Sequence, residues 1–119
     1  MDRQTEERIA YNDATFREAN ERVRAAADAI GLDDGRLPFI CECADPSCTD
    51  VVLLDRDVYA GIRADPRHFM NVPGHERVAL GAIEVVETHD AYVVVEKTGH
   101  AGEVAEALDG HVIQEGPIG

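Results

Sequence analysis

The sequence predicts a small α+β domain in which a long N-terminal helix packs on a small, mostly antiparallel sheet. Two patterns support this fold class. Apolar residues recur every seven positions between Ile9 and Ile30, and β-rich segments at Ala82–Thr88 and Tyr92–Thr98 flank a short turn. The chain has 119 residues, of which 45% are hydrophobic. This size and composition fit one folded domain with a modest core.

Residues 1–36 are predicted to form an N-terminal helical segment, with one helix from roughly Thr5 to Ile30. Gly31 is a natural helix stop. Two interpretations stay open, because the apolar face could cross the domain's own sheet or pair with a second copy in a homodimer. Asn12 and Asp13 interrupt this face, which favours packing within the chain. The predicted face has heptad spacing and consists of Ile9, Phe16, Val23 and Ile30.

Residues 37–119 are predicted to form a small α+β domain. Asp55 is placed to cap a short helix, with Val58, Tyr59 and Ile62 on its buried side. The other predicted elements are strands at Leu37–Cys41 and Val51–Leu54, an extended segment at His68–Val72, the hairpin of Ala82–Thr88 and Tyr92–Thr98, a last helix at Gly102–Leu108, and a frayed tail at Gln114–Gly119. Because Asp-Ala is a poorer turn than Asp-Gly, the hairpin is expected to contain a longer loop or a bulge.

The charge of the chain limits its partners. It has 24 acidic and 11 basic residues, for a net charge of −13. Such a surface repels phosphate backbones and anionic membranes, so direct nucleic-acid or membrane binding is not expected. A protein with a basic surface is the expected partner. Apolar runs are as short as Val51–Leu54 and no apolar stretch follows Met1, so we expect a cytoplasmic protein without a membrane span.

All three cysteines lie within eight residues, at Cys41, Cys43 and Cys48. Their odd number and the absence of an export signal argue against a disulfide framework. On an extended strand the side chains of residues i and i+2 point to the same side, so Cys41 and Cys43 could approach one ion. The turn at Asp45-Pro46 would return Cys48 to the same place. Soft thiolates favour Zn²⁺, so the predicted fold includes a zinc knuckle.

A structural zinc site needs a fourth ligand, and His75 is the favoured one because it follows the Pro73-Gly74 turn. His68 is the alternative. With His75 the predicted metal ligands are Cys41, Cys43, Cys48 and His75, and the site is closed to water. Other interpretations stay open. Three thiolates and a water would form an open site with Glu42 or Glu76 as general base, or the cysteines could pack as reduced, small apolar side chains.

Several blocks of the sequence resemble a group of small uncharacterised bacterial proteins, mostly actinobacterial. The blocks are Phe39–Cys48 with the pattern CxCxDPxC, Tyr59–Phe69 with the pattern YxxxRADPxxF, the PGHE turn at Pro73–Glu76, and Val85–Lys97. The resemblance implies no activity. It implies that the cysteine block and the PGHE turn occur together, as expected if they share a site.

The sequence therefore predicts a small acidic protein with a structural Zn²⁺ and no catalytic residue. Its predicted role is a non-enzymatic, regulatory protein–protein interaction module. The alternatives are a zinc- or thiol-dependent enzyme, or a redox sensor in which oxidation of the cysteines releases the metal.

Overall fold

The computed structural model describes residues 2–31 and 35–109 and has the predicted α+β architecture. Within these residues, three α-helices, one 3₁₀ helix and five strands follow one another. They are α1 (Arg3–Ala29), β1 (Arg36–Ile40), β2 (Val51–Asp55), α2 (Arg56–Arg63), β3 (His68–Asn71), the 3₁₀ helix (His75–Ala79), β4 (Ile83–Thr88), β5 (Val93–Lys97) and α3 (Gly99–Leu108). The predicted tail Gln114–Gly119 lies outside the described residues, as does His111.

The long helix α1 forms where the sequence predicts it, within two residues at its start. Asp2 caps it, since its carboxylate accepts a hydrogen bond from the Thr5 N–H at 2.8 Å. Just beyond its end, Gly31 adopts a φ of 72°, a conformation that a side chain disfavours.

The predicted buried face of α1 is wrong in part. Ile9 is buried and Phe16 and Val23 are half-buried, but Ile30 is 74% exposed. The buried face is rotated toward Ala10 and Ala14 and includes three polar residues, which are Asp13, Arg17 and Asn20. This face packs on α3 and β1 of the same chain. Of the two interpretations of the sequence, this is the one in which the helix packs within its own domain.

The strands are divided between two antiparallel sheets. β1 and β2 form a two-stranded ribbon in which Phe39 lies opposite Val52. β5 lies between β3 and β4 in the second sheet. The predicted hairpin is β4–β5, and the expected irregularity is a register shift in β4 between Val85 and Glu87.

The three-stranded sheet lies between two layers of apolar side chains. On one face, Phe69 and Val95 pack with α1 and α3 residues such as Ile9 and Ala105. On the other face, Met70 and Val94 pack with the ribbon and α2, in a cluster of Leu37, Phe39, Val52, Leu54, Tyr59 and Ile62. The rings of Phe39 and Tyr59 stack at 4.2 Å between centroids.

α2 begins after Asp55 and buries Tyr59 and Ile62, as predicted. The prediction for Val58 is wrong, since this side chain is exposed. A helix of only eight residues presents a narrow stripe to the sheet, and Tyr59 and Ile62 already fill it. The connection 41–50 between β1 and β2, which contains the cysteines, has no helix or strand.

Candidate metal centre

The cysteines lie in the connection between β1 and β2, which we call the metal loop (residues 41–50). The Cys41 N–H donates to the Asp50 carbonyl at 2.8 Å, which closes the base of the loop. The loop then turns at Asp45, whose side chain accepts from the Ser47 N–H at 2.9 Å, while its carbonyl accepts from the Cys48 N–H at 3.1 Å. This turn is the predicted one, and it brings Cys48 back beside the two earlier cysteines.

The fourth side chain of the group, His75, comes from the turn after β3. Gly74 has a φ of 96°, which a glycine adopts without strain. This sharp turn places His75 at the start of the 3₁₀ helix, where its N–H donates to the Val72 carbonyl at 3.0 Å. The His75 Nδ1 atom then lies 3.5 Å from Cys41 Sγ and 3.6 Å from Cys48 Sγ.

The three sulfurs and one imidazole nitrogen converge. The ligand atoms of Cys41, Cys43, Cys48 and His75 all lie within 4.8 Å of one another and could hold a metal ion. Cys41 and Cys43 are buried, whereas Cys48 and His75 are partly exposed. The site is therefore anchored in the core by two of its side chains and reaches solvent through the other two.

The carboxylate of Asp50 lies beside the imidazole of His75. His75 Nε2 lies 3.3 Å from Asp50 Oδ2. The other ring nitrogen, Nδ1, faces the sulfurs of Cys41 and Cys48. A carboxylate on the distal nitrogen of a histidine ligand is a recurrent feature of metal sites. Sequence reasoning missed Asp50, because this contact depends on how the metal loop meets the turn after β3.

Without a cation, the thiols of Cys41 and Cys43 stay protonated at neutral pH, because their pKa values are raised. Burial raises the pKa of Cys43 to about 11 and raises that of Cys41 further, although the Val72 N–H donates to Cys41 Sγ at 3.2 Å. The neighbouring sulfurs also oppose a second and third negative charge. A bound cation reverses this preference, so binding of a metal releases protons from the thiols.

The two carboxylates considered as general bases are occupied elsewhere. Glu42 is fully buried and accepts hydrogen bonds from the Tyr59 hydroxyl, the Asn20 amide and the Met70 N–H. Glu76 accepts from the Gly74 N–H at 2.7 Å, which stabilises the turn before His75. Both side chains support the backbone that positions the ligands.

His68, the alternative fourth ligand, belongs to a different group. Its Nε2 lies 3.1 Å from Glu96 Oε1 and 3.3 Å from Asp65 Oδ2. These three side chains form a second, partly exposed set of potential ligand atoms within 4.8 Å of one another. The structure therefore favours His75 over His68 for the cysteine cluster.

Comparisons with family models, curated proteins and solved structures give no match to this chain. The resemblance to the actinobacterial group therefore stays a prediction. Within residues 2–31 and 35–109, every helix is too short or too polar to cross a bilayer. The geometry of the metal centre is therefore the main structural indication of function.

Proposed function

We propose that Cys41, Cys43, Cys48 and His75 bind one Zn²⁺ as a structural ion. The observation that supports this most directly is the pair of distances from His75 Nδ1 to two sulfurs, 3.5 and 3.6 Å. A tetrahedral zinc with Zn–S of about 2.3 Å and Zn–N of about 2.05 Å separates sulfur from nitrogen by about 3.6 Å. Four protein ligands complete the coordination and leave no position for a water.

A structural ion has a clear task in this fold. The metal loop lacks a helix or strand of its own, and the 3₁₀ helix that begins at His75 follows a different strand. An ion bound by both segments joins the end of the β1–β2 ribbon to the end of β3. In so small a domain, the free energy of metal binding contributes directly to folding.

We propose further that the zinc-stabilised domain is a non-enzymatic protein–protein interaction module with a regulatory role. Two features support this proposal. The proposed coordination set is closed, and the two carboxylates considered as general bases, Glu42 and Glu76, are held by other groups. The net charge of −13 favours encounter with a basic protein surface over nucleic acid or membrane.

Native mass spectrometry of protein purified without chelator tests the structural zinc. We expect one Zn²⁺ per chain, and loss of cooperative thermal unfolding when a chelator removes it. Cys41→Ser should behave like the stripped protein, with Ser47→Ala as a matched control in the same loop. A Cys41→Ser chain that stays folded without metal would contradict a structural role and favour a catalytic one. Reversible release of zinc by mild peroxide, with the fold retained, would favour a redox sensor instead.

Affinity capture tests the interaction role. Wild-type bait in lysate of the source cells should retain a basic protein that elutes as salt is raised, because screening weakens contacts between charged surfaces. Metal-free bait should retain less of it. Capture of nucleic acid, or of nothing that depends on salt, would contradict the proposed partner class. Light scattering of the purified chain separately tests the homodimer predicted for α1.

A further inference from the structure

A cavity of about 570 Å³ lies between α1 and the metal loop. One wall is the first half of α1, including Ile9 and Tyr11, and the opposite wall is Ala44 and Pro46 of the metal loop. Val78 of the 3₁₀ helix completes the lining. The volume lies within the range typical of small-molecule sites. Two of the three segments around the cavity are therefore the segments that carry the metal ligands.

The lining of the cavity is mostly apolar, and no side chain of the described residues fills the space. Tyr11 and Val78 are large apolar side chains that remain 42% and 54% exposed, and both contribute to the lining. Ile9, in contrast, is buried at the base of the first apolar cluster. An apolar ligand could cover Tyr11 and Val78 and would gain the free energy of removing this surface from water.

One cation stands in the lining of the cavity. Arg8 makes no hydrogen bond or ion pair with any residue that the structure describes, although it helps to lower the pKa of Asp2 from a distance. Arg17, Arg22, Arg24, Arg63 and Arg67 have carboxylate partners, whereas Arg8 is exposed at the edge of an apolar lining. A guanidinium with open donors binds a carboxylate through two parallel hydrogen bonds.

We propose that this cavity binds a small organic carboxylate with an apolar body. The carboxylate pairs with Arg8, and the apolar body lies between Tyr11 and Val78. The Asn12 amide donates to the Cys43 carbonyl at 3.0 Å, so the wall of α1 is tied to the metal loop. Binding therefore depends on an ordered metal loop, and this dependence rests on the proposed structural zinc.

Calorimetric titration with 4-phenylbutyrate tests the site on the full metal-loaded chain. We expect saturable binding that Arg8→Gln weakens about tenfold, because the variant keeps the shape of the side chain but removes its charge. Arg3→Gln is the matched control on the same helix, outside the cavity, and should leave binding unchanged. The neutral alcohol 4-phenylbutanol should bind as weakly to the wild type as to Arg8→Gln.

A second pair of variants tests the apolar part of the cavity. Val78→Asp places a charge in the lining at an exposed position, so the chain should fold but bind 4-phenylbutyrate at least tenfold more weakly. Val85→Asp introduces a charge at an exposed position of β4, away from the cavity, and should leave the affinity for 4-phenylbutyrate unchanged. Absence of saturable binding to the wild type, or binding that neither Arg8→Gln nor Val78→Asp weakens, would overturn the proposal.

The metal dependence separates this inference from the proposed function. Zinc content is measured in the same samples by native mass spectrometry. Binding that requires Arg8 in a chain without zinc would support the cavity and contradict the structural metal. A chain with one zinc and no binding would contradict the cavity alone.

Discussion

The metal loop and the buried face of α1 both place polar groups inside a small domain, but they are built in opposite ways. The metal loop gathers three cysteines from eight consecutive residues and adds one histidine from a nearby turn. The face of α1 draws Asp13, Arg17 and Asn20 into the core, where their partners come from distant strands and loops. A site made from a rare residue type at short spacing can be recognised from the sequence, whereas a polar core assembled over long range cannot.

Each of the three polar residues on the buried face of α1 has a partner of opposite charge or a backbone partner. Asp13 pairs with Lys97, whose ammonium group lies over the Phe69 ring. Arg17 donates to the Pro66 carbonyl at 2.7 Å and the Ala105 carbonyl at 3.3 Å. Asn20 bridges both backbone groups of Ile40, one residue before the first cysteine. The two regions are therefore in contact, and variants can separate their contributions.

The largest effect is expected in the metal loop. Cys43→Ser removes a buried ligand, so the chain should lose its metal and more than about 3 kcal/mol of stability, because metal binding and folding are linked. Urea unfolding and metal analysis of the same samples measure both quantities. A variant that lost its metal but kept wild-type stability would show that the loop folds without help from an ion.

The next largest effect is expected at the buried ion pair. Lys97→Met leaves the Asp13 carboxylate without its partner and should cost about 3–5 kcal/mol. The double variant Asp13→Leu with Lys97→Met replaces the pair by apolar side chains and should recover most of this loss. Both should retain the metal. Equal destabilisation of the single and double variants, measured by urea unfolding, would show that the pair itself is net stabilising.

A smaller effect should appear as a dependence on pH. Burial raises the pKa of Asp13 to about 7, against the opposing charges of Lys97 and Arg17 and with a further contribution from Glu42. Because the folded chain holds this proton more tightly than the unfolded chain, the stabilisation is complete below about pH 4 and is lost as the pH rises through about 7. The stability of the wild type relative to the double variant should therefore fall between about pH 4 and about pH 7. A constant or rising difference would contradict the raised pKa.

The smallest effect is expected on the solvent side of the same helix. Arg22 is mostly exposed and pairs with Glu18 at 2.8 Å, one turn earlier in α1. Arg22→Ala should change the free energy of unfolding by less than about 0.5 kcal/mol. Comparison of Arg22→Ala with Lys97→Met shows how differently an exposed and a buried ion pair of α1 contribute to stability. A loss above about 1 kcal/mol for Arg22→Ala would contradict this difference.

Local signals predicted most of the secondary structure. The apolar runs at Leu37–Cys41 and Val51–Leu54 became a paired ribbon because only a ten-residue loop separates them. The helix after Asp55 and the hairpin near Asp90 follow from neighbouring residues in the same way. Cys41 to Cys48 and the Pro73-Gly74 turn carried enough information to predict the four converging side chains.

The predictions were wrong where contacts between residues far apart in the sequence determine which side chains are buried. Heptad spacing placed Ile30 on the buried face of α1, yet the structure buries Arg17, whose hydrogen-bond partners lie 49 and 88 residues away. A helix face that contains polar side chains is predicted to be exposed, whatever the spacing of its apolar residues. Only the tertiary structure supplies the carbonyls that accept hydrogen bonds from a buried Arg17. The role of Asp50 at His75 was missed for the same reason, since it depends on how two segments meet.

X-ray absorption at the zinc edge, on protein purified without chelator, tests the central claim most directly. We expect one zinc per chain, coordinated by three sulfurs at about 2.3 Å and one nitrogen at about 2.0–2.1 Å. A chain without bound metal, or a zinc surrounded by oxygen and nitrogen alone, would contradict it.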